Sequence, residues 1–319
     1  MNTHILNELI TAKDKIQYDE YVKRVLSNRY ILAWIMKGTI DKFKDWEIEH
    51  IALECIEPDI SISSVSVSPG KSTDFASKSS LPEAIVGQNT EDKVPGEGMI
   101  TYDIRFKARL PGKKGARSIV FLVNVEAQKS YHHSYAIVTR GIFYAARMLS
   151  GQLDKEFKIP HYNDLKKVYS IWICMNSPQY FANSMAEYRM EKHDLIGTIP
   201  ALQADYDKIS VILICLNSKT LAAEPGLLHL LGTLLSPKIS LEKKKEVLDS
   251  DYSIPLEDGL GKELGQMCNL SEAIEEEALK KGWTQMKQAL KLQATGQSCE
   301  EIAKALDLPV DTVKKMLED

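Results

Sequence analysis

Two segments, Val168–Asn176 (VYSIWICMN) and Ile209–Asn217 (ISVILICLN), are apolar almost without interruption. Short apolar runs of this kind, rich in β-branched and aromatic residues, predict buried strands with helices packed against them. A third run, Ser118–Gln128, reads the same way. It follows a strand at Met99–Ala108 and a Pro/Gly/Lys turn at Leu110–Ala116, so the two form a hairpin. A helix over Tyr135–Leu153 separates the hairpin from the next strand. Strand, strand, helix, strand, strand predicts a mixed α/β sheet flanked by helices.

Around this centre the pattern is less regular. Apolar residues at helical spacing between Tyr18 and Asp45 predict one or two amphipathic helices with a break near Gly38. Ile51–Val67 reads as extended, and Lys71–Gly98, rich in Ser, Gly, Pro and acids, reads as a long loop. From Gly226 onward the pattern is helical, with a long helix between Glu263 and Thr295. Two short helices follow, joined at Asp307-Leu308-Pro309, and Ser298 with Glu301 has capping-box spacing. The expected division is a core over 1–222, with a loop insertion at about 68–98, and a helical region over 223–319 ending in a helix-turn-helix-like pair at 298–319.

No run in the chain has the length of a membrane span or the form of a signal peptide, which predicts a cytoplasmic protein with no membrane partner. The five cysteines are odd in number and never paired as CxxC, so they suit reduced thiols rather than a zinc site. A formal charge of -4 excludes a generally basic, nucleic-acid-coating protein. Contact with DNA would have to come from a local patch. One lies between Thr101 and Arg117, where Arg105, Lys107, Arg109, Lys113, Lys114 and Arg117 stand against the single acid Asp103.

Side chains two apart on a strand share a face. Asp103, Arg105 and Lys107 therefore point one way while Ile100, Tyr102, Ile104 and Phe106 point the other. On the second strand Asn124, Glu126 and Gln128 share a face, opposite Phe121, Val123 and Val125. A turn about Lys113-Lys114 sets Asp103 opposite roughly residue 124, with Glu126 its close neighbour. Two buried carboxylates need a cation, a shared proton or arginine partners. Mg²⁺ suits them, since it is held by one or two carboxylates plus waters and phosphate oxygens. The same residues also suit an interior salt bridge between Glu126 and Arg105, with Asp103 ending a turn.

Tyr102-Asp103-Ile104-Arg105-Phe106, followed after the turn by Asn124-Val125-Glu126-Ala127-Gln128-Lys129, resembles the PD-(D/E)XK nuclease family transposases, relatives of the recombination-promoting (Rpn) nucleases. Gln88–Glu91, Arg140–Tyr144 with Arg147–Ser150, and Lys167–Ile173 are similar to that family in order and spacing, so the resemblance covers nearly the whole chain. It implies a restriction-endonuclease-like mixed sheet with an α-helical C-terminal extension. It also implies a bacterial DNA endonuclease dependent on Mg²⁺ or Mn²⁺, with no organic cofactor, linked to transposition or recombination of mobile elements. Asp103 and Glu126 match the motif's metal ligands. Gln128 stands where the motif has lysine, and a neutral amide cannot offset the charge that develops on a phosphate.

Arg105, which shares Asp103's face, is the expected substitute for that lysine. Arg140, Tyr144 and Arg147 fall at i, i+4 and i+7 on the helix and, with Lys113 and Lys114, are the expected phosphate contacts. Glu20 is the expected upstream acid, with Asp19 and Asp14 close alternatives. His132 and His133 read as surface residues, and Cys174 and Cys215 as core. The C-terminal helix pair suits packing or homo-oligomerisation as well as DNA reading. The alternative to a nuclease is a DNA-binding or assembly protein that keeps the fold without the chemistry. A two-carboxylate sugar hydrolase is the third reading, and the basic hairpin speaks against it.

Overall fold

The computed structural model describes residues 3–62, 91–94, 98–111, 119–129, 131, 134–256 and 259–317. Its contacts divide the chain into two compact units, one of Asp19–Gln266 and one of Met1–Tyr18 with Met267–Asp319. The expected boundary at 222/223 thus falls inside the larger unit, where Trp34 meets Tyr252 edge-to-face with ring centroids 5.1 Å apart.

The chain opens with α1 (Thr3–Leu26) and α2 (Arg29–Thr39). α2 ends at Thr39, so the expected break near Gly38 is present, and a further break not expected lies at Ser27-Asn28. Asn28 caps α2 by accepting the N–H groups of Tyr30 and Ile31, which an uncapped helix start would leave unsatisfied. Gly38 sits in the last turn of α2 because that turn touches another helix: a Cβ there would lie 2.6 Å from Leu227 Cδ2. A short helix α3 (Ile48–His50) continues into a π-helical turn at Ile51–Cys55, so the first five residues of the segment expected to be extended are helical. Among its described residues Ile56, bridged to Ala108, and β1 (Ser61–Ile62) are extended, and 63–67 lie outside the described residues.

β2 (Glu91–Val94) and β3 (Gly98–Thr101) form a separate two-stranded ribbon. The expected strand Met99–Ala108 is therefore two strands, interrupted at Tyr102-Asp103, with β4 (Ile104–Leu110) resuming after the bend. β5 (Ile119–Gln128) pairs antiparallel with β4 and parallel with β6 (Lys167–Cys174). The edge strand β7 (Ser184–Arg189), absent from the expectation, runs antiparallel to β8 (Ile209–Cys215), which is parallel to β6. The six-stranded mixed sheet has the order β1-β4-β5-β6-β8-β7. β7 escaped notice because its side chains are largely exposed and give no apolar run.

One face of the sheet is covered by α4 (Ile137–Ser150), whose Ile137, Tyr144, Ala145 and Met148 pack on Tyr102, Leu122, Val168, Trp172, Val211 and Leu213. Gly141 permits that approach, since a Cβ would stand 2.6 Å from Val211 Cγ1 and 3.0 Å from Trp172 Nε1. On the other face Phe121 meets Phe43 and Tyr169 edge-to-face. The larger unit also holds α5 (Gln203–Tyr206), α6 (Leu227–Leu235) and α7 (Leu241–Ser250). α8 (Leu260–Ala294) starts within it and runs into the second unit.

In that second unit α9 (Cys299–Leu306) and α10 (Val310–Leu317) bury Ile302, Ala303 and Val313 against Ala289 of α8. Ser298 and Glu301 form the expected capping box. Asp307 ends α9 at φ 52°, in the left-handed region, and so turns the chain into α10. Among the described residues no helix is long and apolar enough to cross a membrane.

Candidate active site

The register Ile104↔Val125 places the bend residue Asp103 across from Glu126, two positions beyond the expected partner at 124. The expected turn was centred slightly too early, but a shift of two keeps every side chain on its face. Tyr102 departs from the expected alternation, because the chain bends there: its ring lies on the α4 side, against Tyr144 at 5.6 Å.

The two acids clasp each other's strand. The Asp103 N–H donates to Glu126 Oε1 at 3.1 Å, and the Ala127 N–H donates to Asp103 Oδ2 at 3.0 Å. Asn124 Nδ2 adds a second donor to Glu126 Oε1 at 3.1 Å. Glu126 is 0% exposed and Asp103 2%. Glu126 Oε2 is buried, and among the described residues none donates a hydrogen bond to it.

The cation in this centre is one the sequence reading missed. Lys23, on α1 and only 2% exposed, places Nζ 2.9 Å from Asp103 Oδ1 and 3.1 Å from Asp19 Oδ2. Its signal was present: Lys23 stands among Val22, Val25 and Leu26, all fully buried, where a lysine needs a partner. Asp19, one turn earlier, is half of that partnership. Glu20, the expected upstream acid, turns instead to Arg24 at 2.6 Å, with both side chains 38% exposed. The α1 acid linked to the centre is therefore Asp19, through Lys23.

Burial holds the Glu126 carboxyl well above the ordinary glutamate range, and the neighbouring Asp103 charge adds to the rise. Arg140 and Asn124 pull the other way without cancelling it. Asp103 is also raised by burial, against the opposing pull of Lys23. For Lys23 burial works against the charge, but Asp103 and Asp19 together outweigh it and keep the ammonium protonated.

The remaining expected residues divide into three groups. Arg140 Nη1 and Nη2 donate to Tyr135 OH at 2.7 Å and Tyr144 OH at 2.9 Å, and the guanidinium lies 5.3 Å over Trp172, the register neighbour of Glu126. It thus reaches the site, while Tyr144 is packed between Tyr102 and Trp172 and serves as its support. Arg105 and Arg147 are buried, Arg105 lying 5.3 Å over the Tyr102 ring. Arg147 therefore does not present the surface guanidinium expected of a phosphate contact, because its helix face is the one that packs on the sheet.

Gln128 is half-buried at the end of β5, one alternation beyond Glu126 and level with Cys174. Lys107 and Arg109 of the basic hairpin are engaged with Glu156 at 2.8 Å and Glu57 at 2.9 Å. Lys113, Lys114, Arg117, His132 and His133 lie outside the described residues.

Among the described residues no group of three or more His, Cys, Asp or Glu is placed to hold a metal ion. What is present is a pair of hard oxygen ligands, one with a buried carboxylate oxygen that accepts no hydrogen bond from any described residue. Two carboxylates completed by waters and substrate oxygens suit Mg²⁺ or Mn²⁺ and do not suit a thiophilic ion. Asp103 and Glu126 therefore fit such an ion. Compared with protein-family models, with curated proteins and with solved structures, the chain matches none.

Proposed function

We propose that this chain is a divalent-metal-dependent DNA endonuclease of the PD-(D/E)XK type, with a restriction-endonuclease-like core, acting in a bacterial cytoplasm on mobile or recombining DNA. The observation that carries the reading is the buried Asp103–Glu126 pair, in which Glu126 Oε2 accepts no hydrogen bond from any described residue. A protein gains nothing in stability from a carboxylate oxygen buried in this way. It gains function if the oxygen binds a cation.

A bound Mg²⁺ would supply an activated water and neutralise charge on the scissile phosphate. The protein's part is to keep that cation's ligands in place before it arrives. Asp103 and Glu126 are fixed by the reciprocal backbone hydrogen bonds, so little reorganisation is left to be done on binding. Arg140, propped by two phenols beside Trp172, offers a positive group on the α4 side for a DNA phosphate. Contact through phosphates implies low base specificity from the core. The test is a supercoiled plasmid incubated with purified protein and Mg²⁺ or Mn²⁺. Wild type nicks it; Asp103→Ala and Glu126→Ala leave it intact.

The second reading, a DNA-binding or assembly protein without catalysis, is favoured by the Lys23–Asp103 ion pair, which satisfies Asp103 without a metal, and by the neutral Gln128. It predicts DNA retention unchanged by chelator and by either alanine substitution, with no nicking under any metal.

A further inference from the structure

The nuclease reading leaves one position without its group: at the end of β5, where the motif has lysine, stands Gln128. Among the described residues the cations to weigh beside the carboxylate pair are Arg105, Arg140, Lys107 and Lys23, and each already has a partner. Arg105 lies over the Tyr102 ring, Arg140 donates to Tyr135 and Tyr144, and Lys107 pairs with Glu156. Lys23 alone among these is in direct contact with one of the two acids, at 2.9 Å from Asp103 Oδ1. It arrives from a different element, α1, and is steadied from the same helix by Asp19 at 3.1 Å.

We propose, resting on the nuclease reading, that Lys23 supplies from α1 the positive charge that Gln128 cannot, its ammonium meeting a phosphate oxygen held beside Asp103. At 2% exposure the ammonium acts where solvent screening is weak, so one charge there outweighs a solvated one. A cation held by Asp103 and Glu126 would share the Asp103 carboxylate with Lys23, and the ammonium, 2.9 Å from Asp103 Oδ1, would then stand within reach of a phosphate oxygen on that cation. Asp19 remains as the tether that keeps Lys23 at the site.

A purely structural role makes a different forecast. If Lys23 only neutralises Asp103, an apolar isostere would leave cleavage intact or abolish it through loss of metal binding. The experiment compares wild type, Lys23→Met, Asp19→Asn and the double variant Lys23→Met/Gln128→Lys. Three readouts are used: Mn²⁺ affinity by calorimetry, thermal unfolding, and plasmid-nicking rates resolved into kcat and KM.

Removing a like charge from the cation's neighbourhood leaves Mn²⁺ binding to Lys23→Met equal or tighter, while kcat falls about 10²-fold or more with KM little changed. Returning a lysine at position 128 restores at least about tenfold of that loss. Asp19→Asn keeps Mn²⁺ affinity and loses roughly tenfold in kcat, and it carries the test alone if Lys23→Met does not unfold cooperatively. Nicking by Lys23→Met at the wild-type rate overturns the proposal and leaves the nuclease reading standing. So does an equal loss of Mn²⁺ binding and cleavage that Gln128→Lys does not repair. A wild type that binds Mn²⁺ and cleaves nothing removes the nuclease reading, and this inference with it.

Discussion

Glu301 and Glu126 make the same bond in opposite surroundings. At the start of α9 the Glu301 carboxylate accepts the Ser298 N–H at 2.8 Å while Ser298 Oγ accepts the Glu301 N–H at 3.3 Å. Between β4 and β5 the Glu126 carboxylate accepts the Asp103 N–H while the Asp103 carboxylate accepts the Ala127 N–H. Each is a reciprocal clasp of a side chain on a backbone. The first is exposed to water, which satisfies whatever the clasp does not. The second is sealed, leaving a carboxylate oxygen with no hydrogen-bond donor among the described residues. A clasp in water is a device of stability; the same clasp in the dry interior, between two acids, calls for a shared proton or a cation, and the proposal made above is the cation.

The comparison is broken most severely by removing the acids. Asp103→Ala or Glu126→Ala is expected to lower plasmid nicking by more than about 10³-fold, some 4 kcal/mol of barrier, measured with Mn²⁺ on folded protein. Glu301→Ala leaves nicking unchanged. Gly141→Ala probes the packing that holds α4, and with it Arg140, against the sheet. Its Cβ would meet Val211 and Trp172, both fully buried, and is expected to destabilise the fold by about 1–3 kcal/mol in urea denaturation.

The third test uses pH. Because burial raises Glu126 above its ordinary value of 4.5, the folded protein keeps its proton to higher pH than the unfolded chain does. Stability from this group is complete below the ordinary glutamate range and is lost as pH rises through the raised folded value. Glu126→Gln should therefore flatten the stability–pH profile and raise the melting temperature at pH 8 by a few degrees. Wild type regaining stability at pH 8 on addition of Mn²⁺ would locate the effect in the site. The smallest effect belongs to the exposed clasp: Ser298→Ala should cost about 1 kcal/mol, read as faster amide exchange confined to α9.

The same contrast explains what was legible in the sequence. The capping box spans three residues and declares itself through spacing alone. The strands β5, β6 and β8 were legible because they are buried on both faces, and the parity of Asp103 with Glu126 survived a turn centred one residue too early, which moves the partner by two. β7 was not, since an exposed edge strand lacks an apolar run.

Lys23 was hidden for a different reason: its partner on the hairpin is 80 positions away, and only the folded sheet brings the two together. Glu20 and Asp19 were separable only by the rotation of α1, which a lysine inside the buried stripe in fact recorded. The helix end near Gly38 is legible because glycine there coincides with close packing on Leu227, while the earlier break is written in the Asn28 cap alone.

The most direct measurement is a calorimetric titration of Mn²⁺ into the wild type at neutral pH, in two buffers of different ionisation enthalpy. If Glu126 waits protonated for an ion, wild type binds one Mn²⁺ and releases about one proton, while Glu126→Gln releases none and binds far more weakly. Absence of binding, or binding without proton release that survives Glu126→Gln, would show that this buried pair of acids holds no cation.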